Sequence, residues 1–387
     1  MIFRPLDALT PHSRRLTGPR RLGTVHPGRI RETTVPEQLA PAPAQAVIVF
    51  PDAQSAGQLV AGVPAAARAV REVALAGFAE IAVVTRAQWW PDCWVRHEVA
   101  RLGGGAKVRF LTAGKALADI APSAAAVNGA ELPAAEAIAA ARGRSWPLAN
   151  DSVAAAQMLR ARSREILRAT AKPGDGIVSR YLNRPISQAI SRLLLQRPGI
   201  TPFHATLGTA ALAALMMAAL IFGGGPGLIA GAVLFQAASI FDGVDGEIAR
   251  ATFRTSPAGA RLDSLVDAAT NVGFFGGTAF NLYLQGDSRS ALLGATGLIV
   301  FTIGLAIIAR RSRHRAEGLT FDAVKEQVAQ QRSRVMTLLT WLTMRDFFAL
   351  ALAVLIAAGF AGFALIAFAV IVAGWFVVVV VVMRRKA

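Results

Sequence analysis

The chain has 387 residues, of which 54% are hydrophobic and only 17% charged, yet Lys+Arg number 41 against Asp+Glu 24, a formal charge of +17. Soluble globular chains carry about 25% charged residues, so this chain is too apolar for that class, and its apolar content excludes disorder. A single cysteine, Cys93, allows neither an intrachain disulfide nor a zinc-ligand spacing. What remains is a nucleic-acid binder or a membrane protein with basic cytoplasmic faces, and the position of the charges decides between them.

Residues 1–44 are rich in Arg and Pro and lack the apolar core of a secretory signal, so they read as a flexible basic tail. A mitochondrial-type presequence is the alternative, but Pro5, Pro11, Pro19 and Pro27 interrupt the helix it needs. Residues 45–145 alternate short apolar runs with helical patterns: strands are predicted at 46–50, 80–84 and 107–111 and an Ala-rich amphipathic helix at 64–77. That alternation indicates a small α/β unit with a parallel sheet. Trp89, Trp90 and Trp94 read as packing within it.

Residues 146–200 are read as connecting and juxtamembrane helices. A charged helix is expected at 151–169 and an amphipathic one at 177–196, setting Tyr181, Ile186, Ile190 and Leu194 against Arg180, Arg184 and Arg192 in the headgroup layer. From 201 to 387 the chain reads as an all-α integral membrane bundle of about six spans, at 203–222, 228–248, 262–284, 291–309, 347–362 and 363–383. Each approximates the 20 residues that a helix needs to cross about 30 Å of hydrocarbon.

Positive charge sorts between the connections. Those after the second and fourth spans carry Arg250, Arg254 and Arg261, then Arg310, Arg311, Arg313, Arg315, Lys325, Arg332, Arg334 and Arg345, whereas those after the first, third and fifth are short and nearly uncharged. The basic connections are therefore expected in the cytoplasm, with both termini, the α/β unit and any site at those span ends on the same side of a cell (inner) membrane. No basic stripe with interleaved aromatics occurs, so no nucleic-acid partner is expected.

Acidic residues within spans by default mark function. Asp242 and Asp245 are spaced i, i+3 at the end of the second span, and Asp263 and Asp267 i, i+4 at the start of the third. Each pair shares a helix face, and two antiparallel helices bring four carboxylates together. So much negative charge calls for divalent cations, and hard oxygen ligands favour Mg²⁺ or Mn²⁺. Gly243, Gly246, Ala249 and Gly259 leave room for a ligand against the backbone, and Arg250 can neutralise a phosphate, which suits a diphosphate substrate. The competing reading makes the carboxylates simple salt-bridge partners of Arg250, Arg254 and Arg261. Glu247 fits that reading better and is taken as a structural or rim residue.

Asp242, Asp245, Gly246, Ala249, Arg250, Gly259, Asp263 and Asp267 match the pattern D-x2-D-G-x2-A-R-x8-G-x3-D-x3-D without departure. This resembles the signature of the CDP-alcohol phosphotransferase (CDP-alcohol phosphatidyltransferase) family. The resemblance implies that an acceptor hydroxyl attacks the β-phosphate of a CDP-alcohol and releases CMP, in membrane phospholipid biosynthesis. It implies further that two ions are bound, with Asp242, Asp245 and Asp263 ligating metal and Asp267 a ligand of the second ion as well as the general base, and that Gly246, Ala249, Arg250 and Gly259 line the CDP site. A homodimer is suggested by the same resemblance.

Residues 175–185 and 200–202 are similar to the juxtamembrane segment of members with a fused nucleotidyltransferase domain, such as di-myo-inositol phosphate phosphate synthases. The α/β unit is similar in order to that domain. Residues 51–57, however, lack the glycines and the basic residue of a nucleotide loop, so the unit is expected to be nucleotidyltransferase-like but degenerate. Phe203-His204 replaces an Asn frequent after Thr-Pro, and His204 reads as structural. Ala268 stands where members using a phosphorylated acceptor carry Arg, which favours a neutral hydroxyl, at least one substrate being a lipid. Three alternatives stay open: a phosphodiester synthase acting on polar, soluble substrates, a non-catalytic membrane scaffold, and a bifunctional enzyme that also makes the CDP-alcohol.

Overall fold

A computed structural model describes residues 45–120, 124–141, 151–172, 174–312 and 345–385. The basic tail, most of the basic connection after the fourth span, and Lys386 lie outside the described residues. The α/β unit opens with β1 (Gln45–Val49), followed by α1 (Ala53–Gly57), β2 (Leu59–Val60), β3 (Val63–Pro64) and α2 (Ala65–Leu75). It continues through β4 (Glu80–Thr85), α3 (Cys93–Leu102), β5 (Lys107–Thr112), α4 (Ala113–Asp119), β6 (Ala125–Asn128) and α5 (Ala135–Ala140).

The four-stranded sheet is entirely parallel, in the order β5-β4-β1-β6, with Ile48 paired to Val83 on one side and to Val127 on the other. Strand β4 is buried from Ile81 to Thr85, as a strand covered on both faces should be. The expected parallel α/β unit is thus present. Strand β6 and the β2–β3 hairpin escaped the sequence reading: one is an Ala-rich tetrapeptide and the strands of the other have two residues each, too short for a period to register.

Strand order reverses at β1, so the carboxyl ends of β1 and β6 form the crevice where open α/β sheets usually receive a ligand. Here the Phe50 side chain is fully buried. It lies so close over Gly129 that a Cβ there would meet the ring at 2.5 Å.

Asp151 caps α6 (Ser152–Ala169), its carboxylate accepting from Val153 N at 2.9 Å. A π-helical turn (Ser179–Asn183) leads into α7 (Arg184–Leu194). Among the described residues six helices follow: α8 (Pro202–Phe222), α9 (Gly224–Ala251), α10 (Pro257–Leu284), α11 (Ser288–Ser312), α12 (Arg345–Ala357) and α13 (Ala361–Arg385). They stand where six spans are predicted. Among the described residues, only α8 and α9 are long and apolar enough to be clear span candidates; α11, α12 and α13 hold shorter apolar stretches, and α10 carries Arg261, Asp263 and Asp267 in its first turns. Of the expected six-span bundle, the described residues thus show six helices with two clear candidate spans.

Inside it, aromatic rings stack: Phe235 on Phe274 at 4.0 Å between centroids and Phe275 on Phe368 at 3.5 Å. Such pairs add to the burial that drives packing. Outward-facing Leu207, Leu215, Phe222, Val233, Ile299 and Val370 are exposed.

The amphipathic segment expected at 177–196 differs from the expectation in two respects. Tyr181 and Ile186 do face outward, but Ile190 and Leu194 pack against a buried cluster with Leu195, Val244 and Ile248, and Arg184 is turned into the protein, with a side chain only 13% exposed. The reason for the second is a pair of carboxylate partners, Asp175 and Glu247.

Candidate active site

Helices α9 and α10 run in opposite directions from the short connection 252–256, so the end of one and the start of the other face each other. Asp242, Asp263 and Asp267 converge there, each offering a carboxylate oxygen within 4.8 Å of the others. All three are partly accessible. Oxygens that close fit a common hard cation, because metal–oxygen distances of roughly 2.0–2.6 Å place two ligands about 4–5 Å apart across the ion. The chemistry of the donor set, carboxylates without sulfur or imidazole, agrees with Mg²⁺ or Mn²⁺.

Asp245 sits deeper, 7% exposed, and accepts a 2.8 Å hydrogen bond from Thr206 Oγ1 of α8. Its carboxyl also meets that of Asp263, which in turn meets that of Asp242. The structure thus brings the four predicted acids together, with Asp245 behind the other three. Thr206 was missed by the sequence reading; the available signal was a polar side chain on an apolar helix, one turn after the Thr201-Pro202 start.

The arginine and glycine positions fall beside this cluster. Arg250 Nε donates to Thr170 O at 3.0 Å, which anchors the guanidinium. Its terminal nitrogens lie across Gly246, where a Cβ would meet Nη1 at 3.0 Å. Among the described residues those nitrogens find no acceptor. Gly246 therefore clears the path of a guanidinium that keeps free donors. Ala249 is partly exposed on the same last turns. Gly259 lies in the first turn of α10, its N–H donating to the capping Ser256 Oγ at 3.0 Å.

Arg254 does not serve the acids: it pairs with Glu98 of the α/β unit at 2.5 Å. Glu247 is no rim residue, since it is fully buried. Its two oxygens accept from Arg184 Nη1 at 3.0 Å and from Ser187 and Ser191 Oγ, each at 2.6 Å. Arg184 also donates from Nε and Nη2 to Asp175 at 2.7 and 3.0 Å. Burial on its own would raise the Asp175 pKa, but the hydrogen bonds and charge of Arg184 outweigh it and hold the carboxyl below its usual value. The ladder Asp175–Arg184–Glu247 ties α7 to the back of α9, where Gly243 admits Arg184: a Cβ would lie 3.2 Å from Nη1.

Two further expectations concern residues outside the cluster. His204 is structural, its Nδ1 accepting from Thr201 N at 3.2 Å in a reciprocal helix cap. Trp89 and Trp94 pack on the α/β core, whereas Trp90 is 75% exposed.

Residues 200–370 match the family model of the CDP-alcohol phosphatidyltransferases, so the helical region carries a domain of that family. The chain is also similar, at 38% identity over 109 residues, to a bifunctional IPC transferase and DIPP synthase of Aquifex aeolicus. That match takes in 28% of this chain and 24% of the relative, so the chain spans about a quarter of the length of the curated relative it matches.

Proposed function

From that domain and its acid cluster, we propose that the chain transfers a phospho-alcohol group from a CDP-alcohol to an acceptor hydroxyl, releasing CMP, in the synthesis of membrane phospholipid. The observation that carries the reading is the convergence of Asp242, Asp263 and Asp267 within 4.8 Å, on two antiparallel helices of the matched segment. Asp242, Asp245, Asp263 and Asp267 would hold two Mg²⁺ or Mn²⁺ ions, which would supply positive charge to offset that of the diphosphate and of the departing CMP.

The protein's own groups do the rest. Asp267 accepts the acceptor's hydroxyl proton as its oxygen bonds to the β-phosphorus; the bond from that phosphorus to the CMP oxygen breaks, and its electron pair leaves on CMP. Arg250, anchored at Thr170, points its free Nη donors at a phosphate oxygen. Gly246, Ala249 and Gly259 let the CDP moiety approach the backbone.

All six helices cross a cell membrane in this reading, with both termini and the site cytoplasmic. Support comes from the outward apolar side chains of the bundle and from the sorting of basic residues among the connections. The α/β unit takes no nucleotide: Phe50 occupies the crevice at β1 and β6, and residues 51–57 offer no basic side chain. A homodimer completes the proposal.

A phosphodiester synthase acting on polar substrates is the second reading, favoured by the name of the Aquifex relative. One experiment separates them. Purified protein with Mg²⁺ or Mn²⁺ is given a panel of CDP-alcohols against lipid and polar acceptors. CMP release with an organic-extractable product is expected. A water-soluble product selects the second reading, and no release from any pairing contradicts both.

A further inference from the structure

We propose that the α/β unit is a brace for the catalytic connection: Arg68 and Arg101 hold residues 251–253 in a left-handed turn that sets α10 against α9. The proposal rests on the reading of the acid cluster as an active site. The connection lies between Arg250 and Gly259, inside the eight-residue gap of the motif, so its shape fixes how Asp263 and Asp267 meet Asp242.

Helix α9 ends in a way that its sequence does not favour. Thr252 N still donates to Ile248 O, and Arg254 N reaches back to Ala249 O at 2.9 Å, closing a turn whose pivot is Phe253 at φ +56°. That position is normally glycine, and a bulky side chain there is uncommon and strained. The last carbonyls of a helix also lack partners within it.

The α/β unit supplies both needs. Arg68 of α2 donates from Nη2 to Ala251 O at 2.5 Å. Arg101 of α3 donates from Nη2 to Thr252 O at 2.9 Å and from Nη1 to Phe253 O at 3.2 Å. Three successive carbonyls are thereby capped by two guanidinium groups, the charge that a helix C-terminus prefers.

Side chains reinforce the grip. The Phe253 ring lies beneath the guanidiniums of Arg71 and Arg68, 4.0 and 5.1 Å from its centroid. Glu98, 1% exposed, bridges Arg101 at 2.7 Å and Arg254 at 2.5 Å. The tip of the β2–β3 hairpin completes the contact. Gly62, at φ +82°, presses so close that a Cβ would meet Leu195 Cδ2 at 2.4 Å and Thr252 Cγ2 at 3.2 Å. Burial, with the neighbouring charge of Arg71, pushes the Arg68 pKa down to about 9, so its guanidinium is still protonated at neutral pH when it meets the carbonyls.

The test uses the full chain in detergent. Hydrogen exchange of the amides of 252–256 and 258–259 should speed up about tenfold in Arg101→Ala, the equivalent of two lost hydrogen bonds. CMP-release kcat should fall by a similar factor while KM for the CDP-alcohol stays within about twofold. Adding Phe253→Gly, which adopts the left-handed turn unaided, should restore most of both losses; adding Phe253→Ala should not. If Arg101→Ala does not fold, Arg101→Lys keeps the charge but loses the two-carbonyl fork, and the same comparison is made on it. Unchanged exchange, or equal behaviour of the Gly and Ala double variants, overturns the brace. Absence of CMP release from the parent protein would contradict the proposed activity alone, since exchange still decides the brace.

Discussion

The protein contains two crevices of the kind that receive ligands, and it treats them oppositely. At the carboxyl ends of β1 and β6, Phe50 is fully buried and packs against Gly129. Between α9 and α10, Asp242, Asp263 and Asp267 gather in partly accessible positions with Asp245 behind them. The first crevice is filled by apolar core; the second concentrates like charges, which repel one another unless a cation is bound. Filled space and gathered charge are thus what set the two regions apart, and the proposed activity rests on the second.

Both sides of that contrast can be broken. The larger effect is expected behind the open crevice: Glu247→Ala leaves Arg184 buried without its second carboxylate, and loss of one partner from a buried pair costs about 3–5 kcal/mol. Thermal unfolding in detergent reads this directly, and a loss below about 1 kcal/mol would return Glu247 to the rim role that its sequence context also allows. A smaller effect is expected at the filled crevice. Gly129→Ala forces a methyl group into the Phe50 ring and should cost about 1–3 kcal/mol, again by thermal unfolding. The parent protein should show no CTP-dependent pyrophosphate release; detecting it would mean that the crevice is a working nucleotide site.

The parallel sheet and the six helices were legible because their periods and lengths are local properties of the sequence, and the acids because their spacing places them on shared helix faces. Of the two roles read for Glu247, structural or rim, the sequence could not choose the structural one because its partners, Arg184, Ser187 and Ser191, lie 56 to 63 residues away. The inward turn of Arg184 was hidden for the same reason: an arginine on an amphipathic pattern reads as solvated until its carboxylates are found. Phe253 is more instructive still. Nothing local asks an aromatic residue to take a left-handed backbone, and the arginines that hold it there come from more than 150 residues earlier. Strained positions are where local propensity is overruled by tertiary contact.

The central claim is that Asp267, meeting Asp242 and Asp263 across the helix pair, takes the proton of the attacking hydroxyl. Its most direct test is the rate of CMP release by Asp267→Asn at saturating Mg²⁺ or Mn²⁺, CDP-alcohol and acceptor. A positioned base contributes about 10²–10⁴-fold, so a fall within that range is expected in a protein that keeps its melting temperature; an unchanged rate would contradict the account.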